Sequence, residues 1–111
     1  MKEPDWFPVL NDADMPEGAL IAVYPMGINI VLTRFMGKVY AIDGKCMHMA
    51  CPLSSGSIDG PILTCPCHDW RFDVRTGEFV DAKELSLATH PIRTENGKIL
   101  VGLRSKGESD E

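Results

Sequence analysis

Hydrophobic residues in this chain fall in short runs broken by turn residues, not at helical spacing. Runs rich in Val, Ile, Leu, Tyr and Phe predict strands at 6–10, 19–24, 28–35, 39–42, 62–64, 71–73, 78–80, 90–95 and 98–103. The punctuation is chemically specific: Met36-Gly37-Lys38, Thr76-Gly77 and Asn96-Gly97 read as tight-turn signals, the last most strongly. Helical turns are expected only at 15–18 and 81–87. The stretch 44–68 differs from its flanks. Gly44, Pro52, Gly56, Gly60, Pro61 and Pro66 interrupt it, and little alternation survives. The pattern predicts an all-β fold, a sandwich or small barrel, with a loop-built subdomain inserted at about 44–70. Reactive loops are often mounted on a rigid sheet in this way.

Length and charge narrow the class. At 111 residues the chain is expected to form a single domain, 1–111, with one modest core. Hydrophobic and charged shares of 44% and 24% are ordinary for a soluble globular protein. Sixteen acidic against eleven basic residues leave a net charge of −5, which argues against nucleic acid and against anionic membrane as partners. No apolar run approaches the roughly 18–20 residues of a membrane span. The opening Met1-Lys2-Glu3-Pro4-Asp5 lacks the apolar region of a secretory signal. A cytoplasmic monomer with a disordered acidic tail at 105–111 is the expectation.

Candidate chemistry is concentrated in the middle. All four Cys and two of the three His lie between Cys46 and His68. A disulfide-stapled secreted domain spreads its cysteines along the chain, so this clustering points to a metal. Two mixed boxes stand out, Cys46-Met47-His48 and Cys65-Pro66-Cys67-His68, with sixteen residues between His48 and Cys65. A structural zinc site fits the residue count, although zinc signatures usually pair Cys with Cys and His with His. Four-thiolate ligation fits worse. Cys46 and Cys51 have the spacing that opens the plant-type pattern, but the next Cys it needs is missing.

The two boxes closely resemble the Rieske family, whose pattern is C-x-H, fifteen to seventeen residues, then C-x-x-H. Further pieces match: Val39-Tyr40-Ala41-Ile42-Asp43 before the first box, Leu53-Ser54-Ser55-Gly56 and Gly60 between the boxes, and Arg71-Phe72-Asp73-Val74-Arg75-Thr76-Gly77 after the second. The resemblance covers about residues 38–101. It implies a Rieske-like antiparallel β-sandwich or barrel and one 2Fe–2S cluster per chain. Cys46 and Cys65 would hold one iron, and His48 and His68 the other. It also implies a Cys51–Cys67 disulfide, by analogy with the respiratory branch, where cysteines at the two matching positions are joined.

In function the resemblance implies a one-electron carrier, not an enzyme, working between a reductase and a terminal oxygenase or similar acceptor. With two thiolates and neutral imidazoles the oxidised centre has no net charge, whereas four thiolates leave it doubly negative and harder to reduce. Potentials accordingly run from roughly −150 to +300 mV against about −400 mV. High-potential relatives place Ser and Tyr where this chain has Trp70 and Phe72. Neither offers a hydroxyl to the cluster sulfurs, so the low end of the range is expected. Met47, Met49, Pro52, Pro66 and Trp70 are candidates for an apolar docking rim. A mononuclear iron of the oxygenase kind lacks ligands: only His90 is left, and beside Pro91 it reads as a surface residue. The other readings are a small non-catalytic Rieske subunit of a larger redox enzyme, of nitrite-reductase or oxidase type, and a zinc-stabilised interaction module.

Overall fold

A computed structural model describes residues 5–44, 52–66 and 70–103. Among them the strands are β1 (Asp5–Asn11), β2 (Leu20–Val23), β3 (Ile30–Phe35), β4 (Lys38–Asp43), β5 (Ser57–Asp59), β6 (Ile62–Thr64), β7 (Arg71–Asp73), β8 (Glu78–Phe79), β9 (Ala82–Ser86), β10 (Thr89–His90), β11 (Ile92–Glu95) and β12 (Lys98–Leu103). They pair antiparallel in three sheets, ordered β1-β12-β11, β10-β4-β3-β2 and β5-β6-β7-β8-β9.

The β3–β4 hairpin organises this arrangement. Successive side chains of a strand point to opposite faces. The unbroken run Ile30-Val31-Leu32 therefore makes sense only if both faces are covered. Both are. Val31 and Ile42 join Leu53, Leu63, Cys65, Phe72, Val74 and Leu87 in a core against the five-stranded sheet. Ile30, Leu32, Val39 and Ala41 join Met15, Val23, Ile99, Val101 and Leu103 in a second core against the three-stranded sheet. A two-residue turn closes the hairpin, with Met36 at φ 54° and Gly37 at φ 82°, both left-handed as its tight geometry demands. Arg34 ties the preceding chain down. Its Nε donates to the Met15 carbonyl at 2.6 Å, and its Nη2 to Asp12 Oδ1 at 2.6 Å.

Several expectations need correction. Residues 81–87 are not a helical turn. Ala-Lys-Glu-Leu favours helix locally, but pairing of Glu78 with Ser86 and Phe79 with Ala82 makes this stretch the edge strand β9. The turn expected at 15–18 is also displaced: a 3-10 segment occupies Asp12–Asp14 instead. Met15, almost fully buried, is drawn into the core. The strand expected at 90–95 is two strands in different sheets. Pro91, which has no N–H to donate, sits at the crossing. Within the segment expected to be loop-built, a 3-10 turn at Leu53–Ser55 and strand β5 accompany β6, the strand expected at 62–64.

Truncating a side chain covered on both sides is expected to be costly. Ile30→Ala should lower unfolding free energy by about 2–5 kcal/mol. Ile28→Ala, 44% exposed in the same apolar run, should stay within about 0.5 kcal/mol. Denaturant titration of the two variants separates these values.

Candidate metal centre

Each of the two boxes springs from a root closed by main-chain hydrogen bonds. At the first, β4 ends at Asp43 and the Gly44 N–H donates to the Asn29 carbonyl at 2.9 Å. The Leu53 N–H then donates to the Gly44 carbonyl at 2.8 Å, so the chain returns to the point it left. The Asp43 N–H donates to the Ala88 carbonyl at 3.0 Å, and Asp43 Oδ1 lies 3.0 Å from His90 Nε2. The second root is the open end of the β6–β7 pair, where Thr64 faces Arg71 and the Cys65 N–H donates to the Trp70 carbonyl at 2.7 Å.

Two glycines and a shared core press these roots together. A Cβ on Gly56 would overlap the Thr64 carbonyl oxygen, one residue before Cys65. A Cβ on Gly44 would overlap Asn29 Oδ1. Leu53, just after the first box, and Leu63, Cys65 and Phe72, around the second, are completely buried in one cluster. Trp70 stacks on Phe79, with ring centroids 4.5 Å apart and planes inclined by 11°. The two positions expected to lack hydroxyl donors are thus aromatic packing positions beneath the second box.

Of the expected ligands, Cys65 is described: a fully buried, free thiol at the mouth of its root. Cys46, His48 and His68 lie outside the described residues, as do Cys51 and Cys67. The expected Cys51–Cys67 bridge therefore falls on residues outside the described ones, and Cys65 is free. His90 also needs correction, being half-buried and paired with Asp43 instead of standing free on the surface. Among the described residues no group of three or more His, Cys, Asp and Glu converges on a metal position.

The residues present nevertheless fit a metal cluster. The Cys65 thiol is buried and free, available as a ligand at the start of the second box. At the first root, Asn29 Oδ1 is buried without a hydrogen-bond partner, an expense that folded proteins seldom tolerate without reason. The sequence reading missed Asn29, Gly56 and the Asp43–His90 pair. Only Gly56 left a trace, as part of the Leu53-Ser54-Ser55-Gly56 segment.

Comparison with known proteins bears on the same residues. The family profile described as "Rieske [2Fe-2S] domain" matches residues 5–91, most of the chain. This chain belongs to the Rieske family. A Rieske relative from Ralstonia sp., the ferredoxin component of naphthalene 1,2-dioxygenase/salicylate 5-hydroxylase systems, is 33% identical over 87% of this chain and 94% of its own length. The ferredoxin component of the alkene monooxygenase system of Xanthobacter autotrophicus is 32% identical over 72% of this chain and 69% of its own. Among solved structures, a chain in the complex of reduced oxygenase and oxidized ferredoxin in carbazole 1,9a-dioxygenase superposes with a TM-score of 0.82 at 28% identity. That match covers 93% of this chain and 97% of the other.

If the roots set the Rieske loops, crowding them should release metal. Gly56→Ala pushes against backbone and should cost about 1–3 kcal/mol while lowering iron per chain. Gly44→Ala meets first the side-chain amide of Asn29, which can move, and should retain more iron. Iron assay of the two purified variants tests the order.

Proposed function

We propose that this Rieske protein is a ferredoxin component, carrying single electrons from a reductase to a terminal oxygenase. The observation that carries this reading is near-complete mutual coverage: the chain matches named ferredoxin components along almost their whole length. Cys46 and Cys65 are assigned to one iron, and His48 and His68 to the other. A 2Fe–2S centre so held supplies a one-electron couple between roughly −150 and +300 mV.

The rest is work for the chain's own residues. Cys65 presents its sulfur from a dry core, on a root closed by its own N–H to the Trp70 carbonyl. Phe72, fully buried, and Trp70, stacked on Phe79, give the second box rigid apolar support and no hydroxyl, which keeps the potential towards the low end. Residues 1–111 are read as one domain acting as a monomer in the cytoplasm. Among the described residues no helix is long and apolar enough to cross a membrane. Cys51 and Cys67, at the positions joined in the respiratory branch, are assigned to a disulfide.

Voltammetry of the purified protein tests the carrier role: a reversible one-electron wave near the low end is expected. A wave far above zero would overturn the argument from Trp70 and Phe72, and a colourless, redox-silent protein holding zinc would overturn the whole reading. Cys65→Ser should reduce iron from about two per chain to near none. Alkylation under denaturing, non-reducing conditions should leave Cys51 and Cys67 unlabelled, and labelling of both would overturn the bridge.

A further inference from the structure

Among the described residues five large hydrophobic side chains stand in solvent: Tyr24, Met26, Ile28, Met36 and Leu85. Single exposed apolar residues are ordinary. Three of these five, however, share one turn between β2 and β3, with Tyr24 61%, Met26 74% and Ile28 44% exposed. Exposed apolar side chains gathered in one short turn mark a candidate interaction site.

The turn's place in the fold adds to this. The residue after it, Asn29, receives the Gly44 N–H, and Gly44 stands two residues before Cys46. Tyr24, Gly27, Ile28, Asn29, Asp43 and Gly44 line a common hollow of about 450 Å³. The exposed apolar turn and the first-box root are therefore parts of one continuous surface. Among the described residues its only charged lining residue is Asp43, and the chain as a whole carries −5.

The residue at the apex is also unexpected for its backbone. Met26 sits at φ 55° beside Gly27 at φ 78°, a position where Asn, Asp or Gly is more comfortable. Methionine has a long, adaptable side chain suited to surfaces that must fit more than one partner. A carrier with one cluster meets both its donor and its acceptor. Redox encounters, moreover, use small interfaces, so a few such residues suffice.

We propose that the 24–28 turn, with the hollow it shares with Asp43 and Gly44, is part of the surface that receives an electron-transfer partner. That partner is a basic protein that meets the turn with apolar groups, its charge complementing the −5 of this chain. The inference rests on the carrier reading and goes beyond it by naming where the partner sits.

Met36 supplies an internal control. It is 80% exposed and holds the same left-handed conformation, but at the far end of the β3–β4 hairpin from Gly44. Met26→Asn and Met36→Asn are both neutral and both relieve the backbone, so neither is expected to impair folding.

The reduced, cluster-loaded protein is mixed with oxidised cytochrome c, a basic haem protein, in a stopped-flow instrument. Met26→Asn should lower the second-order rate constant about fivefold and Tyr24→Ser/Met26→Asn about tenfold, with Met36→Asn within about twofold. The wild-type rate should fall as salt rises. Equal effects of the two methionine variants, no effect of Met26→Asn, or a rate that rises with salt overturns the docking surface. A shifted potential in Met26→Asn also overturns it, because the turn would then act on the cluster. Failure of the carrier reading looks different: the wild type would show no paramagnetic signal on reduction, before any kinetics.

Discussion

Everything in this fold hangs on one hairpin having no outside. β3 and β4 place Val31 and Ile42 in one core and Ile30, Leu32 and Ala41 in the other. The three-stranded and five-stranded sheets are thus attached to opposite faces of the same two strands. A one-residue slip between β3 and β4 would send each core's side chains to the wrong side, so burial itself holds the register. That register decides where Asp43 and Gly44 emerge, and hence where the first box begins.

The second box is positioned from the other side of that layer. β6 and β7 lie in the five-stranded sheet, and Leu63, Cys65 and Phe72 pack on Val31 and Ile42. The two boxes, far apart in any single sheet, are thus referred to one set of core contacts. A ligand set split across two iron atoms needs that common reference. Pre-organised scaffolds hold metal geometry better than loops left to themselves.

Much of this was legible in the sequence because it is local. Asn96-Gly97 and Met36-Gly37 announced their turns, and each was found with both φ values positive. The 28–35 run announced a strand, found as β3 from Ile30 to Phe35. What escaped was decided at a distance. The Ala-Lys-Glu-Leu-Ser stretch carries helical propensity, and only the presence of β8 beside it makes it a strand. Ser57-Ile58-Asp59 is too short and polar to stand out from its neighbours. The candidate ligands came from the resemblance of the two boxes to the Rieske pattern, in which residue types and spacing are tightly restricted. The supports were not legible in this way. The carbonyls of Asn29, Gly44, Ala88 and Trp70 are main-chain atoms, which no side-chain pattern reports, and the His90–Asp43 pair joins residues 47 positions apart.

The roots are closed by peptide groups, and this has a consequence for how such proteins can diversify. A clamp of N–H and C=O groups is indifferent to the side chains threaded through it, save for proline, which has no N–H to give. The roots at Gly44–Leu53 and Cys65–Trp70 therefore constrain what lies between them through main-chain atoms alone, leaving positions other than the assigned ligands open to change. New sequences between the roots can retune a redox centre or alter its clientele while the supporting sheets, and the stability they carry, are inherited whole.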